Sequence, residues 1–369
     1  MTAIARPELG ELSQLAAQYC RPQASPAATP ADFAPSELIR QLDYHGITLL
    51  ALHHNALPGA LATALESRKS MMAANEMLKQ AALKELFECF SAAGLERVIL
   101  FKGTALAYSV YEQPWLRPRS DADCLIDVMQ RPEFEACFEQ LGYQKLFAME
   151  AELVHYQATY SKALGHGSAL NIDLHWQISN RHLLARAFNV DQLLVHANRL
   201  PKLSDGIAVP CSTDSLIIAA LHRLGHHPGE ERLIWLYDIH LLAQSLRSDD
   251  WHRLEARVTR KKIAALTLDS LKMSQQLFET PIPESVIERL EKAASKPEPS
   301  RLFLQRELKE WQYFWRDLKG LDRAVDRCRA VWQNLFPPAD YVRRQMNTRF
   351  ALWGYLKRGA RGCKRVFTG

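Results

Sequence analysis

The chain lacks the signatures of a secreted or membrane-spanning protein. Its seven cysteines form no CxxC pair and are odd in number, which favours reduced, buried thiols over a disulfide framework. No apolar run approaches the roughly 18 residues that a spanning helix needs. The first residues show no basic stretch followed by an apolar one, which is the pattern of a signal peptide. We therefore expect a cytoplasmic protein, with at most a peripheral contact at the inner face of a membrane.

A strong charge of one sign is also missing from most of the chain. The 369 residues have a formal net charge of +5, yet residues 337–369 carry eight Lys and Arg against Asp340 alone. The rest of the sequence is close to neutral, so the basic character belongs to the C-terminus. Because no motif that reads bases is present either, we predict no specific nucleic-acid partner.

Breaks and periodicities divide the chain into four predicted regions. Residues 1–94 read as helical with a Pro/Ala-rich linker at 21–35, residues 95–182 as a small sheet, 183–336 as helical, and 337–369 as a basic amphipathic tail. The runs "RVILF" and "DADCLIDV" predict strands, and "LVHYQATYS" with "ALNIDLHWQIS" predicts a hairpin around "GHG". The fold class expected is α+β, with a small mixed β-sheet core flanked by N-terminal helices and a C-terminal helical domain.

Two of the predicted strands carry acidic residues in unusual places. Asp121 and Asp123 are two apart, so on a strand their carboxylates project to one face and repel each other. A divalent cation relieves this repulsion, and Mg²⁺ is typically held by carboxylates together with substrate phosphates. Asp173 stands mid-strand between two apolar residues, where an acid binds a metal, accepts from a hydrogen-bond donor or reaches a solvated edge.

The strand "RVILF" runs directly into a candidate anion site. Lys102, Gly103 and Thr104 follow it and lead into a predicted helix, whose free N–H groups and dipole favour a negatively charged ligand. Arg117 and Arg119 precede the acidic pair and add positive charge. A phosphate site beside a metal site suits phosphoryl or nucleotidyl transfer.

These residues resemble a known family. "LFKGTALAYSVY", "RPRSDADCLI" and "NIDLHWQIS" are similar to the polymerase-β-type nucleotidyltransferase superfamily. They look most like its bacterial nucleotidyltransferase-like family, whose pattern is LKG…RxxSDxDLLV…IDLHW. The resemblance covers about residues 95–180, and "LHRLGHH…WLYDIHLL" in the helical half is similar too. The chain departs from the superfamily in its Lys-Gly-Thr turn, which replaces Gly-Ser, and in Cys124.

The resemblance implies a metal-dependent mechanism. Asp121, Asp123 and Asp173 would be the catalytic residues and would bind Mg²⁺ or Mn²⁺. Asp173 would also help to deprotonate the acceptor hydroxyl, which attacks the α-phosphorus of an NTP and expels pyrophosphate.

The resemblance also implies a set of nucleotide- and phosphate-binding residues. Gly103 and Thr104 would contact the β- and γ-phosphates, and Lys102 or Arg119 would neutralise the charge of the leaving group. His175 shares the parity of Asp173 along its strand and is a candidate for lining the site.

The implied function is the transfer of an NMP from an NTP to an unknown acceptor. Because members of this family often lie near genes for cell-surface polysaccharide, a role in polysaccharide synthesis follows by analogy. Two alternatives stay open. The chain could be a catalytically inactive nucleotide-binding or assembly protein, or a toxin-like nucleotidyltransferase that acts on RNA or protein.

Two features outside the sheet have competing interpretations. His222, His226 and His227, with Asp238, could ligate a metal, or could form a helical wall that touches the base or the acceptor. In the tail, apolar residues recur at helical spacing between basic ones; they are Val342, Met346, Phe350 and Trp353. Such a helix either packs on the body of the protein or lies on an anionic membrane.

Overall fold

The structure is a computed structural model, and it describes residues 10–21, 34–54, 56–57, 59–146, 153, 155–226, 230–305 and 308–358. Most of the predicted linker at 21–35, the position of His227 and the end of the predicted tail lie outside these ranges. Within them, no helix is both long enough and apolar enough to cross a bilayer.

The described part of the N-terminal region is helical. Its helices are α1 (Glu11–Gln18), α2 (Pro35–His45), α3 (Thr48–His53) and α4 (Gly59–Ala92). Gly46, with φ 71°, ends α2 in the left-handed conformation that glycine adopts without strain. Helix α4 is the longest of the four, and the Ala- and Leu-containing residues after Gly59 form its first turns.

One seven-stranded mixed sheet forms the centre of the described chain, in the order β3-β4-β5-β2-β1-β7-β6. The strands are β1 (Val98–Phe101), β2 (Asp121–Ile126), β3 (Gln144–Lys145), β4 (Gln157–Gly165), β5 (Ser168–His175), β6 (Asn198–Leu200) and β7 (Ser204–Val209). Helix α5 (Lys102–Ser109) follows β1, and α6 (Arg131–Gln140) follows β2. The α+β fold class with a mixed sheet is therefore confirmed.

The sheet extends beyond residues 95–182, where the sequence placed it. Residues 198–209 were expected to be helical, but they form β6 and β7, and β7 runs parallel to β1 with Ile99 opposite Ala208. The apolar part of β7 is only Ile207, Ala208 and Val209, too short for its periodicity to distinguish a strand from a helix. Pairing with β1, about 100 residues away in the sequence, makes this segment a strand.

The two faces of the sheet pack against different layers. Val98 and Leu100 belong to a core that includes Phe90 of α4 and Phe134 of α6. Ile99 and Phe101 point the other way, into the core shared with the helical half. Phe101 is directly opposite Asp123 on β2, so the acidic residues of β2 face the helical half.

The helical half covers that second face. Its helices are α7 (His182–Ala185), α8 (Val190–Leu194), α9 (Ser212–Gly225), α10 (Leu233–Ser245), α11 (Ser248–Lys261), α12 (Ala264–Phe278) and α13 (Glu284–Ala294). Lys262, which has φ 56°, separates α11 from α12. Helix α10 is apolar on most sides and is almost wholly buried between its neighbours.

The C-terminal region contains α14 (Glu310–Asp317), α15 (Ala324–Leu335), α16 (Ala339–Gln345) and a helix over 351–358. The expectation of one amphipathic tail helix is wrong, because the chain turns at Asn347, which has φ 48°. Val342 and Met346 are consequently buried, whereas Phe350 and Trp353 are exposed.

Candidate active site

Two neighbouring parallel strands bring the acidic residues together. Asp123 on β2 lies directly beside Asp173 on β5, and His175 is two residues further along the same face. Ligand atoms of Asp123, Asp173 and His175 all lie within 4.8 Å of one another. Asp121 is adjacent on β2 and lies outside this close group.

Asp123 is buried between two nitrogen donors. Lys102 Nζ lies 2.7 Å and His175 Nε2 lies 2.8 Å from the same oxygen, Oδ1. Burial by itself would raise the pKa of Asp123, but the Lys102 charge and the His175 hydrogen bond outweigh it and lower the pKa below its usual range. Asp123 is therefore held as a carboxylate that needs a cation beside it.

The other two acids are less tightly held as anions. Burial raises the pKa of Asp173 to about 6; the hydrogen bond from Thr159 opposes this rise, and the nearby acids add to it. Thr159 Oγ1 and Gln157 Nε2 donate to its two oxygens at 2.6 and 2.7 Å. Burial and the charge of Asp123 also raise the pKa of Asp121, whose carboxylate accepts a bond from Ser120 Oγ at 3.1 Å. A bound cation would lower the pKa of both carboxyl groups and stabilise their charged forms.

His175 lies behind the acidic pair. Its side chain is about 1% exposed, and its Nε2–H donates to the Asp123 carboxylate. Within the described residues, its buried Nδ1 has no hydrogen-bond partner. This position favours a role in orienting Asp123 over the contact with nucleotide that the sequence predicted.

The start of α5 forms a sharp corner between strand and helix. Lys102 has φ 55°, a left-handed conformation that is rare for a residue with a side chain, and it turns the ammonium back onto Asp123. Lys102 and Gly103 both line the adjoining cleft. The Thr104 side chain is buried, and its hydroxyl donates to the Asp121 carbonyl oxygen at 2.9 Å. The turn therefore places Lys102, Gly103 and the start of α5 at the wall of the cleft.

Both predicted arginines lie at the cleft wall, and each is already paired. Arg119 donates to Glu76 of α4 at 2.5 Å and to Thr104 Oγ1 at 2.9 Å. Arg117 makes a bidentate pair with Asp238 of α10, with N···O distances of 2.8 Å. Asp238, which the sequence offered as a wall residue, thus ties the helical half to the core.

A cleft of about 610 Å³ opens between the sheet and the helical half. Asp121 and Asp123 lie on one side of it, and α2, α4, α9 and α10 contribute the other walls. The sequence did not single out several residues that line it: Asp43, Thr48, Arg68, Ser215, Arg232 and Trp235. They come from helices far from the acidic pair in sequence, and no local motif marks them.

His222 and His226 stand near the cleft, and within the described ranges neither belongs to a cluster suited to a metal. His222 lines the cleft, and its ring stacks on His226 with centroids 5.0 Å apart. Trp235 meets His222 edge-on at 5.6 Å. Among the described residues, the one cluster suited to a metal is Asp123, Asp173 and His175. The geometry favours the interpretation of a helical wall.

The donor set suits a divalent cation. Three side chains converge within a small radius, two of them carboxylates, and Asp121 adds a third carboxylate at the mouth. Carboxylate oxygens with one imidazole suit Mg²⁺ and Mn²⁺, and Mn²⁺ tolerates nitrogen better. The Lys102 ammonium occupies one of the Asp123 oxygens, so a cation there must displace it.

The sequence model of a family described as "Uncharacterised nucleotidyltransferase" matches residues 31–279, more than half of the chain. The chain belongs to this nucleotidyltransferase family. No curated protein matches it. Every residue that lines the cleft, from Asp43 to Asp238, falls within the matched range. The nucleotidyltransferase is therefore a transferase whose substrate class is a nucleoside triphosphate, and its unmatched part includes α14, α15 and α16.

Proposed function

We propose that the protein is a divalent-metal-dependent enzyme that binds an NTP in the cleft and transfers its NMP to the hydroxyl group of an acceptor. The observation that carries the proposal is the juxtaposition of Asp123 and Asp173 on adjacent strands, beside the N-terminus of α5. Paired carboxylates next to an anion-binding helix start match the needs of a metal–triphosphate complex.

The acidic residues would hold Mg²⁺ or Mn²⁺, which supplies Lewis-acid stabilisation of the entering and leaving oxygens. Asp121 and Asp123 would bind from β2, and Asp173 from β5. Asp173, with its pKa raised to about 6, is also suited to take a proton from the acceptor hydroxyl near neutral pH. His175 would keep Asp123 in position through its hydrogen bond.

Lys102 would change partners when substrate binds. Its ammonium neutralises Asp123 in the structure, and a cation at Asp123 would take over that task. The released ammonium would then stand at the start of α5, next to Gly103, where the triphosphate charge accumulates. Arg117, whose guanidinium is 3.6 Å from where a Gly103 side chain would begin, adds positive potential.

The opposite wall would receive the rest of the substrates. Trp235 and His222 present aromatic surface to the cleft, and we assign them to the base or the acceptor. The acceptor itself is a molecule with a free hydroxyl, and a cytoplasmic step of cell-surface polysaccharide synthesis is the setting that the family resemblance suggests.

A second candidate function has one specific observation in its favour. The Lys102–Asp123 and Arg119–Glu76 pairs satisfy the charges that a substrate would otherwise need to satisfy. A protein that senses or binds nucleotide without turnover would show the same arrangement. The two candidates differ in pyrophosphate release, which only the enzyme produces.

Calorimetry tests the proposal. Each of the four NTPs is titrated, with and without Mg²⁺ or Mn²⁺, into the wild type and into an Asp121→Asn/Asp123→Asn variant. Asp205→Asn serves as the matched control, since Asp205 is an exposed acid on β7 of the same sheet and does not line the cleft. We expect metal-dependent binding that the double variant loses and the control keeps.

The outcomes separate the candidates. Binding followed by pyrophosphate release in an acceptor screen supports the enzyme, and binding without release from any acceptor supports the nucleotide sensor. Binding that survives in the double variant would contradict the metal site on β2. No binding of any NTP would contradict both functions.

A further inference from the structure

The C-terminal region exposes an unusual number of large apolar side chains. Of the 18 large hydrophobic residues that are exposed in the described chain, ten lie between Trp311 and Leu356. The other eight are spread over the preceding 300 or so residues, as is normal for a protein surface. Six of the ten define what we call the C-terminal apolar surface: Trp332, Leu335, Phe336, Leu352, Trp353 and Leu356.

Two helices present this surface together. The rings of Trp332 and Phe336 are 4.4 Å apart, and Phe336 meets Tyr355 of the 351–358 helix at 6.2 Å. Tyr355 Oη donates to the Pro337 carbonyl oxygen at 2.5 Å. The surface is therefore continuous from α15 to the last described helix.

A close helix contact fixes which side faces outward. A side chain at Gly354 would begin 2.5 Å from Val342 Cγ1, so only glycine lets the 351–358 helix approach α16 this closely. Gly354 is buried in that contact, and Leu352, Trp353 and Leu356 point away from it with 70%, 61% and 57% exposure. Their exposure follows from the packing of the helix, not from a frayed end.

The segment that carries the apolar surface is rich in positive charge. Residues 323–358 contain eight Lys and Arg against two acids, Asp326 and Asp340. Arg323, Arg329, Arg349 and Lys357 are among the exposed cations. A second copy of the chain would bring like charges together on this surface, which is unfavourable, whereas an anionic surface is complementary.

We propose that the C-terminal apolar surface docks on an anionic lipid bilayer. The Trp, Phe and Leu side chains enter the boundary between headgroups and acyl chains, where tryptophan is favoured. The surrounding Arg and Lys side chains contact the lipid phosphates. The proposal does not depend on the function of the cleft, because the surface lies outside the family match at 31–279.

Vesicle cosedimentation with the full chain tests the proposal. Phosphatidylcholine vesicles are compared with vesicles that also contain phosphatidylglycerol, at low and at high salt. Trp353→Gln/Leu356→Gln removes apolar contact without changing charge, and Arg349→Gln/Lys357→Gln removes charge. Met77→Gln/Met129→Gln is the matched control, because Met77 and Met129 are exposed to 70% and 79% far from the surface. Circular dichroism verifies that each variant is folded.

We expect binding to the anionic vesicles that high salt weakens. Each double variant should partition about 10-fold more weakly, while the control binds like the wild type. A blue shift of tryptophan fluorescence on vesicle binding, reduced in Trp353→Gln/Leu356→Gln, should accompany it.

Three results would overturn the proposal. The first is no binding to anionic vesicles at low salt, and the second is equal binding by the apolar variant and the wild type. The third is a concentration-dependent dimer in sedimentation velocity that Trp353→Gln/Leu356→Gln abolishes, since a second copy would then cover the surface.

Discussion

The cleft buries charged side chains, whereas the C-terminal apolar surface exposes aromatic ones. Asp123, Lys102 and Arg117 are each at most about 10% exposed as side chains, and each is satisfied by an opposite charge. Trp332 and Trp353 are more than 60% exposed. Burying charge and exposing large apolar groups both lower the stability of an isolated chain.

The difference shows how the two regions would act. The charged groups of the cleft are already paired with one another. A metal and an NTP would therefore replace internal partners, as a metal at Asp123 would replace Lys102. Among the residues that the structure describes, no segment covers the C-terminal apolar surface, and lipid is the partner that we propose for it.

The largest expected loss of stability comes from breaking the ion pair between Arg117 of the core and Asp238 of the helical half. Replacing Arg117 with Leu leaves Asp238 charged and buried, so the free energy of unfolding should fall by about 3–5 kcal/mol. Arg186→Leu breaks an exposed pair with Asp322 and should cost less than about 1 kcal/mol. Urea denaturation measures both. Similar losses in the two variants would remove the distinction between interior and surface charge.

Acid pH should lower the stability of the folded protein but leave lipid binding by the C-terminal apolar surface almost unchanged. Burial lowers the pKa of His45, His182 and His240 from 6.5 to about 4, so the unfolded chain binds protons first as pH falls. Stability should therefore be full above about pH 6.5 and decline toward about pH 4. Asp173 and Asp317, with pKa values raised by burial to about 6, oppose this trend but are fewer.

Urea denaturation at about pH 7 and about pH 5 measures the pH effect. Vesicle binding by the folded protein should change little over the same range, because arginine remains charged. Stability that rises as the pH falls would contradict the account of the buried histidines.

The smallest effect is expected at Lys102. Lys102→Met removes the cation that competes at Asp123, so Mn²⁺ should bind about tenfold more tightly without nucleotide. The same variant should bind the metal–NTP complex more weakly, because the phosphates lose a positive charge. Lys79→Met, on α4 near Arg119, is the control. If both affinities fell together in Lys102→Met, the exchange of partners would be wrong.

The parts of the site that could be predicted are those encoded locally. The spacing of Asp121 and Asp123 sets their common face, and the Lys-Gly-Thr turn after a short apolar strand sets the start of α5. The mixed sheet followed from such strand patterns as well. The chain's membership of the nucleotidyltransferase family, suggested by the same motifs, is confirmed.

The remaining features depend on contacts between distant segments. Glu76 pairs with Arg119 and Asp238 with Arg117 across 43 and 121 residues, and no periodicity reveals such partners. Strand β7 and the position of Trp235 could not be predicted for the same reason. Strand β7 is specified by its pairing with β1, and Trp235 reaches the cleft through helix packing. In the tail, the turn at Asn347 separated apolar residues that the helical spacing had grouped.

The most direct test of the central claim is a crystal structure with Mn²⁺ and a non-hydrolysable NTP analogue. We expect an anomalous peak at roughly 2.2 Å from carboxylate oxygens of Asp123 and Asp173, typical of divalent metal–oxygen bonds. We also expect that the triphosphate lies at the start of α5 and that Lys102 Nζ has moved from Asp123 to a phosphate oxygen. An analogue bound elsewhere, or bound with the Lys102–Asp123 pair intact and no metal at these aspartates, would contradict it.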